Sequence, residues 1–279
     1  MEGSTLLNVR TMYAVDPQTT KSMDTTQLRE AFHVAGLFET GKINLTYTHY
    51  DRMIVGAAVP NGADLTLDHV SEAGTPSILD RREMGILNLG EPADVSCGDD
   101  SYTLGRGDIL YLGMGAGTVT FSGQGRFYIV STPAHRTLPN RLVSLSDAAS
   151  LSLGSAETAN DRTIYMFVHP EVMESCQLVM GYTMFHGGSV WNTMPAHLHD
   201  RRMEAYLYFD LASDNRVFHF MGEPQETRHI VMRNEEVVVS PPWSIHCGAG
   251  TGSYTFCWAM AGDNVDYKDV DMVSMEDLR

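Results

Sequence analysis

The feature that most constrains this chain is a faint internal repeat of β-type sequence. Val55-Gly-Ala-Ala-Val-Pro-Asn-Gly62 is echoed by Met180-Gly-Tyr-Thr-Met-Phe-His-Gly187. Arg81-Arg-Glu-Met-Gly-Ile-Leu-Asn-Leu-Gly90 is echoed, 120 positions on, by Arg201-Arg-Met-Glu-Ala-Tyr-Leu-Tyr-Phe-Asp210. Asp108-Ile-Leu-Tyr-Leu112 corresponds more loosely to Glu236-Val-Val-Val-Ser240. Three blocks in one order predict two similar units in tandem. Short apolar runs broken by Gly, Asn and Asp, such as Ile43-Asn-Leu-Thr-Tyr-Thr-His-Tyr50, predict an all-β sandwich or barrel for each.

The spacing divides the chain into four stretches. Residues 1–45 read as an N-terminal arm with a short helix, opened by an Asp24–Gln27 capping box. Residues 46–140 form the first β unit. Residues 141–165 read as a linker with a weak helix at Ser146-Asp-Ala-Ala-Ser150, and residues 166–279 form the second unit. His169-Pro-Glu-Val-Met-Glu-Ser-Cys176 predicts one helical turn with Pro170 at its first position.

Charge narrows the partners. Nineteen Lys and Arg against 35 Asp and Glu give a net charge of −16. That balance argues against a nucleic-acid backbone, which needs clustered cations, but leaves room for a small anion held by one or two arginines. No stretch approaches the ~20 apolar residues of a membrane span. The N-terminus lacks the basic flank and apolar core of a signal peptide. Cys97, Cys176, Cys247 and Cys257 have no paired spacing and read as reduced, buried thiols of a cytoplasmic protein.

Chemistry concentrates in Asn192-Thr-Met-Pro-Ala-His-Leu-His-Asp-Arg-Arg-Met-Glu204. His197 and His199, one residue apart on an extended segment, point to one side, and Glu204 opens a run that can face the same interior. Two imidazoles and a carboxylate converging on one point suit a borderline divalent ion with an open coordination position, one further ligand being expected downstream. Left without a metal, such a set is costly in an apolar interior. The first unit offers only Pro76-Ser-Ile-Leu79 and Ala116-Gly-Thr118 at the matching places, so one metal per chain is expected. His33, His49, His69, His135, His169 and His219 lack that clustering and read as structural or surface residues.

His-x-His-x4-Glu followed by Pro241-Pro-Trp-Ser-Ile-His246 resembles the ligand order of the cupin superfamily, in which three imidazoles and a carboxylate bind a divalent metal inside a small β-barrel. Trp243 and Leu211 stand where those motifs have glycine. The longer blocks at residues 191–204, 221–235 and 240–250, with residues 81–90 and the closing Glu276-Asp-Leu-Arg279, resemble the 5-keto-4-deoxyuronate isomerases, also called 4-deoxy-L-threo-5-hexosulose-uronate ketol-isomerases. The resemblance implies two tandem cupin-type barrels (a bicupin) and one zinc per subunit on His197, His199, Glu204 and His246. It also implies a homohexamer that acts on a small anionic sugar acid in the breakdown of pectin-derived unsaturated uronates.

The implied reaction converts 5-dehydro-4-deoxy-D-glucuronate into 3-deoxy-D-glycero-2,5-hexodiulosonate through a metal-polarised carbonyl and an enediolate. The residues leave the base open: Glu226 and His229, in Gln225-Glu-Thr-Arg-His229, are the first candidates, then His186, or a metal-bound water. Arg228 or Arg202 would hold the substrate carboxylate. Tyr206 and Tyr208 share the period-2 face of Glu204 and either line the cavity or pack as core. The alternatives are a related 5-deoxyglucuronate isomerase, a cupin dioxygenase, or a sugar-binding cupin.

Overall fold

A computed structural model describes residues 6–263 and 268–279. The chain folds into two compact units that interleave along the sequence. The first takes the residues through Met12, Gly36–Ala148 and Phe167–Leu178; the second takes Tyr13–Ala35, Ala149–Met166 and Val179–Arg279.

Each unit pairs a seven-stranded sheet with a four-stranded one. In the first, the large sheet runs Leu6–Met12, Lys42–Thr48, Ile54–Val59, Phe127–Pro133, Arg82–Asn88, Ile109–Leu112, Arg141–Val143. In the second it runs Ala149–Leu153, Arg162–Val168, Val179–Phe185, Thr255–Gly262, Arg202–Phe209, Glu236–Ser240, His33–Val34. The small sheets are Leu65–Leu67, Val119–Phe121, Ala93–Cys97, Asp100–Leu104 and Trp191–Asn192, Cys247–Gly250, Val217–Glu223, Glu226–Met232. Strands that carry matching sequence blocks hold matching places, so the repeat is a repeat of topology. One edge differs: Leu6–Met12 lies parallel to its neighbour, whereas Ala149–Leu153 lies antiparallel.

The glycines of the first block are demanded by packing. A Cβ on Gly56 would stand 2.3 Å from the Leu45 side chain, and one on Gly181 2.3 Å from the Tyr165 carbonyl and 2.5 Å from the Trp258 ring. In both units the strand after this glycine crosses too close to its neighbour for any side chain.

The helices are Pro17–Lys21 and Thr25–Phe32. Asp16 caps the first through the Thr19 amide, and Asp24 and Gln27 form the reciprocal capping box of the second at 2.9 and 2.8 Å. Phe32 is buried edge-on against Trp243 at 6.3 Å, docking this arm on the second unit's own sheet. No helix among the described residues is long and apolar enough to cross a membrane.

Residues 141–165 depart from the expected linker. Ser146 lies in a turn whose Asp147 and Ala148 amides donate to the Ser144 carbonyl, and the chain then enters the strand Ala149–Leu153. Ser144 Oγ donates to the Asp147 carboxylate at 2.7 Å, the kind of local bond by which serine and aspartate draw a backbone out of helix into a turn. At His169, the Val172 and Met173 amides close one turn on its carbonyl. The four cysteines are free thiols; Cys97, Cys247 and Cys257 are buried, and Cys176 is half-buried with Sγ 3.3 Å from the Arg136 carbonyl.

Register shows what the first unit has in place of the second unit's acid. Glu204 lies across from Ser240 and Met260, and Met84, 120 positions earlier, lies across from Leu112 and Ser131. Met84 joins an apolar core with Ile43, Ile86, Leu110, Phe121 and Ile129. The neighbouring acid, Glu83, points to the other face by strand alternation. It is fully buried, and its carboxylate accepts from the Cys176, Gln177 and Leu178 amides at 2.7–2.8 Å, from Tyr111 Oη at 2.6 Å and from Thr132 Oγ1 at 3.2 Å. Burial, with the Glu83 charge beside it, pushes the Tyr111 phenol well up.

This nest generates a prediction. Glu83→Ala strands three buried amides, each worth about 1–3 kcal/mol when left unpaired. Thermal or urea denaturation will show the variant destabilised by about 3 kcal/mol or more; a change under about 0.5 kcal/mol would refute the role given to the nest.

Candidate metal centre

The short strand His197–Leu198 pairs with Asp271–Met272 and carries the first histidine to the mouth of the second unit. His199 follows in the turn before Arg202–Phe209, Glu204 sits on that strand, and His246 directly precedes Cys247–Gly250. The donor atoms of His197, His199, Glu204 and His246 all lie within 4.8 Å of one another. Glu204 Oε2 is 3.0 Å from His199 Nε2 and 3.0 Å from His246 Nε2, which is itself 3.0 Å from His197 Nε2. His199, Glu204 and His246 are buried; His197 is half-buried.

The donors fit a cation better than they fit each other. His199 Nδ1 donates to the Arg202 carbonyl at 2.9 Å, and His246 Nδ1 faces the Ser244 carbonyl at 3.3 Å. A carbonyl only accepts, so each Nδ1 carries a ring proton and each ring turns its Nε2 inward, the nitrogen that offers a lone pair to a metal. Burial first, then the neighbouring His246, push His197 down to about 3. Burial pushes the Glu204 carboxyl up, so its ionised form needs positive charge at the facing His246 and His199 nitrogens, on the rings or on an ion among them. Lone pairs and a carboxylate at these separations repel unless a positive charge sits among them. Neighbouring donors 3.0 Å apart also suit bonds of about 2.1 Å at near-right angles, which leaves positions open for further ligands. A carbonyl acceptor behind each of two imidazoles is the outer support metal-bound histidines ordinarily have.

Beside the cluster lies a cavity of about 400 Å³. Tyr206, Phe256, Trp258, Thr183 and Ile164 supply its sheet-side wall; Thr193–Pro195 and Lys268, Val270 and Met272 supply the rest. Thr193 adopts φ 50°, a left-handed conformation uncommon for threonine, and its Oγ1 meets Tyr206 Oη at 3.0 Å. Trp258 Nε1 donates to Thr183 Oγ1 at 3.2 Å. Deeper in, Tyr208 Oη pairs with His219 Nδ1 at 2.8 Å, and Asn192 Nδ2 donates to Tyr254 Oη at 2.7 Å. His219, fully buried, is pushed down to about 3 by burial first and by His246 second.

Placement sorts the expected residues. Arg202 and Tyr206 line the cavity with His197, His199 and Glu204, while His246 closes the cluster from behind; Tyr208 lies in the interior. Glu226 and His229 are exposed on the hairpin strand Glu226–Met232 and do not line the cavity: Glu226 sits at the turn, paired with Glu223, and His229 faces outward against Phe218, opposite in parity to the buried Ile230 and Met232. Arg228 is spent on the arm: it donates to the Thr20, Lys21 and Met23 carbonyls at the end of the first helix. His186 is exposed, with Nε2 3.0 Å from Thr163 Oγ1. Reading the sequence missed Arg162, Thr193 and Lys268 as lining residues, and no local motif marks them.

Two cupin-type β units, one with a buried three-histidine, one-carboxylate cluster opening on a cavity, define a bicupin with its chemistry in the second unit. The chain belongs to the KduI/IolB family, whose description matches residues 33–276. A relative from Cereibacter sphaeroides named 4-deoxy-L-threo-5-hexosulose-uronate ketol-isomerase is 69% identical over 98% of this chain and 100% of its own length. One of the same name from Agrobacterium fabrum is 62% identical over 98% and 100%. These identities make the chain an isomerase. Among solved structures, an IolB-like protein from Salmonella typhimurium superposes with TM-score 0.65 at 17% identity, covering 79% of this chain and 86% of that one. An oxalate decarboxylase from Lactobacillus farciminis gives 0.55 at 9%, covering 80% and 79%. Both likenesses speak to the fold.

Two outcomes follow from the geometry. Glu204→Gln removes the anionic donor, so the affinity of the purified protein for divalent metal, read by competition with a chelator, falls about 10-fold or more; retention of parental affinity would exclude Glu204 as a ligand. His219 has its folded value depressed from 6.5 to about 3, so its contribution to stability is present above pH 6.5 and is lost as pH falls towards 3. In acid titrations of stability, His219→Gln will flatten that slope by about one proton; an unchanged slope would contradict the assignment.

Proposed function

We propose that this isomerase is a zinc-dependent ketol-isomerase interconverting 5-dehydro-4-deoxy-D-glucuronate and 3-deoxy-D-glycero-2,5-hexodiulosonate in the breakdown of unsaturated, pectin-derived uronates. The observation that carries the reading is the set of imidazole Nε2 atoms turned inward on Glu204 at 3.0 Å, opening on a cavity, in a chain 69% identical to a relative with that name. His197, His199, Glu204 and His246 would hold the zinc, one per subunit. The subunit is read as part of a cytoplasmic homohexamer.

A divalent ion in this set supplies Lewis-acid polarisation of a carbonyl and offsets the negative charge that loss of a carbon-bound proton creates. The chain's own groups do the rest. Phe256, Trp258 and Met260 exclude water from one side of the cavity, which strengthens every charge interaction within it. The Nδ1–H bonds of His199 and His246 fix both rings before substrate arrives. Tyr206, with its ring 5.6 Å from that of His246 and Oη on Thr193, is the hydroxyl placed to hold and return a proton at Oη. It takes over the proton-handling role first sought in Glu226, His229 and His186.

The test is conversion of the unsaturated uronate followed by NMR, with chelator and with added zinc. Conversion is expected with zinc and abolished by chelator; no conversion under any metal condition overturns the reading, and stoichiometric oxygen uptake would move the chain to oxygenase chemistry. Tyr206→Phe should lower kcat by about 10²-fold or more at unchanged metal content.

A further inference from the structure

The reaction acts on one end of a six-carbon acid whose other end is a carboxylate, and the metal cluster accounts only for the first end. Among the described residues three cations line the cavity, Arg162, Arg202 and Lys268, against a single carboxylate, Glu204, which belongs to the cluster. In a chain of net charge −16 that local excess of positive charge is a built feature. We propose that Arg162 is the anchor for the substrate's carboxylate, with Lys268 adding a second positive charge, so that the acid end is held remote from the cluster and the carbonyl end is directed to it. The inference rests on the ketol-isomerase reading and deepens it.

Placement favours Arg162 over the other arginines. It opens the strand Arg162–Val168, which is separated from the Glu204 strand by Val179–Phe185 and Thr255–Gly262. The Asp161 carbonyl accepts from the His186 amide and the Phe185 amide donates to the Tyr254 carbonyl, so Arg162 stands level with the Phe209 end of the Glu204 strand, away from the cluster end. Arg202 sits two residues from Glu204 on one strand and donates Nη2 to the Asp269 carbonyl at 3.2 Å, so it belongs to the cluster end. Its counterpart in the first unit, Arg82, is wholly structural, bonding Ser131 and the Arg52 carbonyl.

Arg162 is also held ready. Nη1 donates to the Asn160 carbonyl at 2.8 Å, the one bond on this guanidinium among the described residues, which leaves the Nε and Nη2 edge of the fork for a bidentate partner. The backbone beneath it is pinned: the Asp161 amide donates to the buried Ser189 Oγ at 2.9 Å, and the Asp161 carbonyl accepts from the His186 amide at 3.0 Å. A guanidinium on so fixed a base loses little freedom on binding.

The zinc-loaded protein is titrated by calorimetry with D-galacturonate and with D-galactose, and its kinetics are measured on the unsaturated uronate. The parent is expected to prefer the acid over the neutral sugar. Arg162→Gln should lose that preference by about tenfold or more and raise KM by a similar factor, with kcat and zinc content little changed. Arg162→Lys, which keeps the charge but not the fork, should fall between the two and carries the same measurements if the glutamine variant does not fold. A parent without acid preference, or variants with parental KM and parental preference, overturns the proposal. A parent that converts no uronate, yet whose acid preference disappears with Arg162→Gln, would overturn the isomerase reading and uphold the carboxylate subsite.

Discussion

The second unit is organised by an electrostatic problem at Glu204. A carboxylate placed inside a β-sandwich loses its hydration, and the loss is recovered only by donors or by a cation. Here its Oε2 faces the Nε2 atoms of His199 and His246 at 3.0 Å, and both rings commit their Nδ1 proton to a main-chain carbonyl. The arrangement is therefore balanced for a third party of positive charge. The immediate surroundings follow from holding it: carbonyls behind the rings, an aromatic floor, and a threonine in a left-handed conformation against Tyr206.

The first unit shows the same scaffold without that problem. At the position of Glu204 it has Met84, and the interior closes into an apolar core. Its acid stands one residue earlier, and because side chains alternate along a strand, that single step moves the charge from the interior face to the opposite one. There Glu83 meets three amides and two hydroxyls and needs no ion. Two carboxylates on matching strands thus serve opposite ends: one is satisfied by the chain and locks a segment in place, the other is left wanting and makes a binding site.

What was legible in the sequence was what lies close along it. His197, His199 and Glu204 fall within eight positions, and the tandem blocks keep their order, so the cluster and the doubled topology both leave a local trace. The cavity leaves none. Arg162 comes from a stretch read as linker, because residues 141–161, rich in Ser, Ala and Leu, have no periodicity that signals the strands they form. The opposite error arose at Gln225-Glu-Thr-Arg-His229, where a dense polar run suggests chemistry. Its strand has an apolar parity held by Ile230 and Met232, so His229 faces out, and Arg228, on the same parity as those two, is consumed by the carbonyls of the docked arm. Composition reports which groups exist; only pairing and parity decide which of them share a space.

The placement of charge gives the cavity a further consequence. A protein of net charge −16 repels an anionic sugar acid at long range, but at physiological ionic strength that field decays over about 8 Å, so a substrate near the mouth responds chiefly to the groups around it. Among the described lining residues those groups include Arg162, Arg202 and Lys268, with Glu204 committed to the cluster. The exterior charge is screened, while a few cations set in a partly dry cavity act at short range and low dielectric, where each is strongest. In the proposed carboxylate subsite, selectivity for a small acid would come from the contrast between the two regions, and it would be lost if the same cations were spread over the surface.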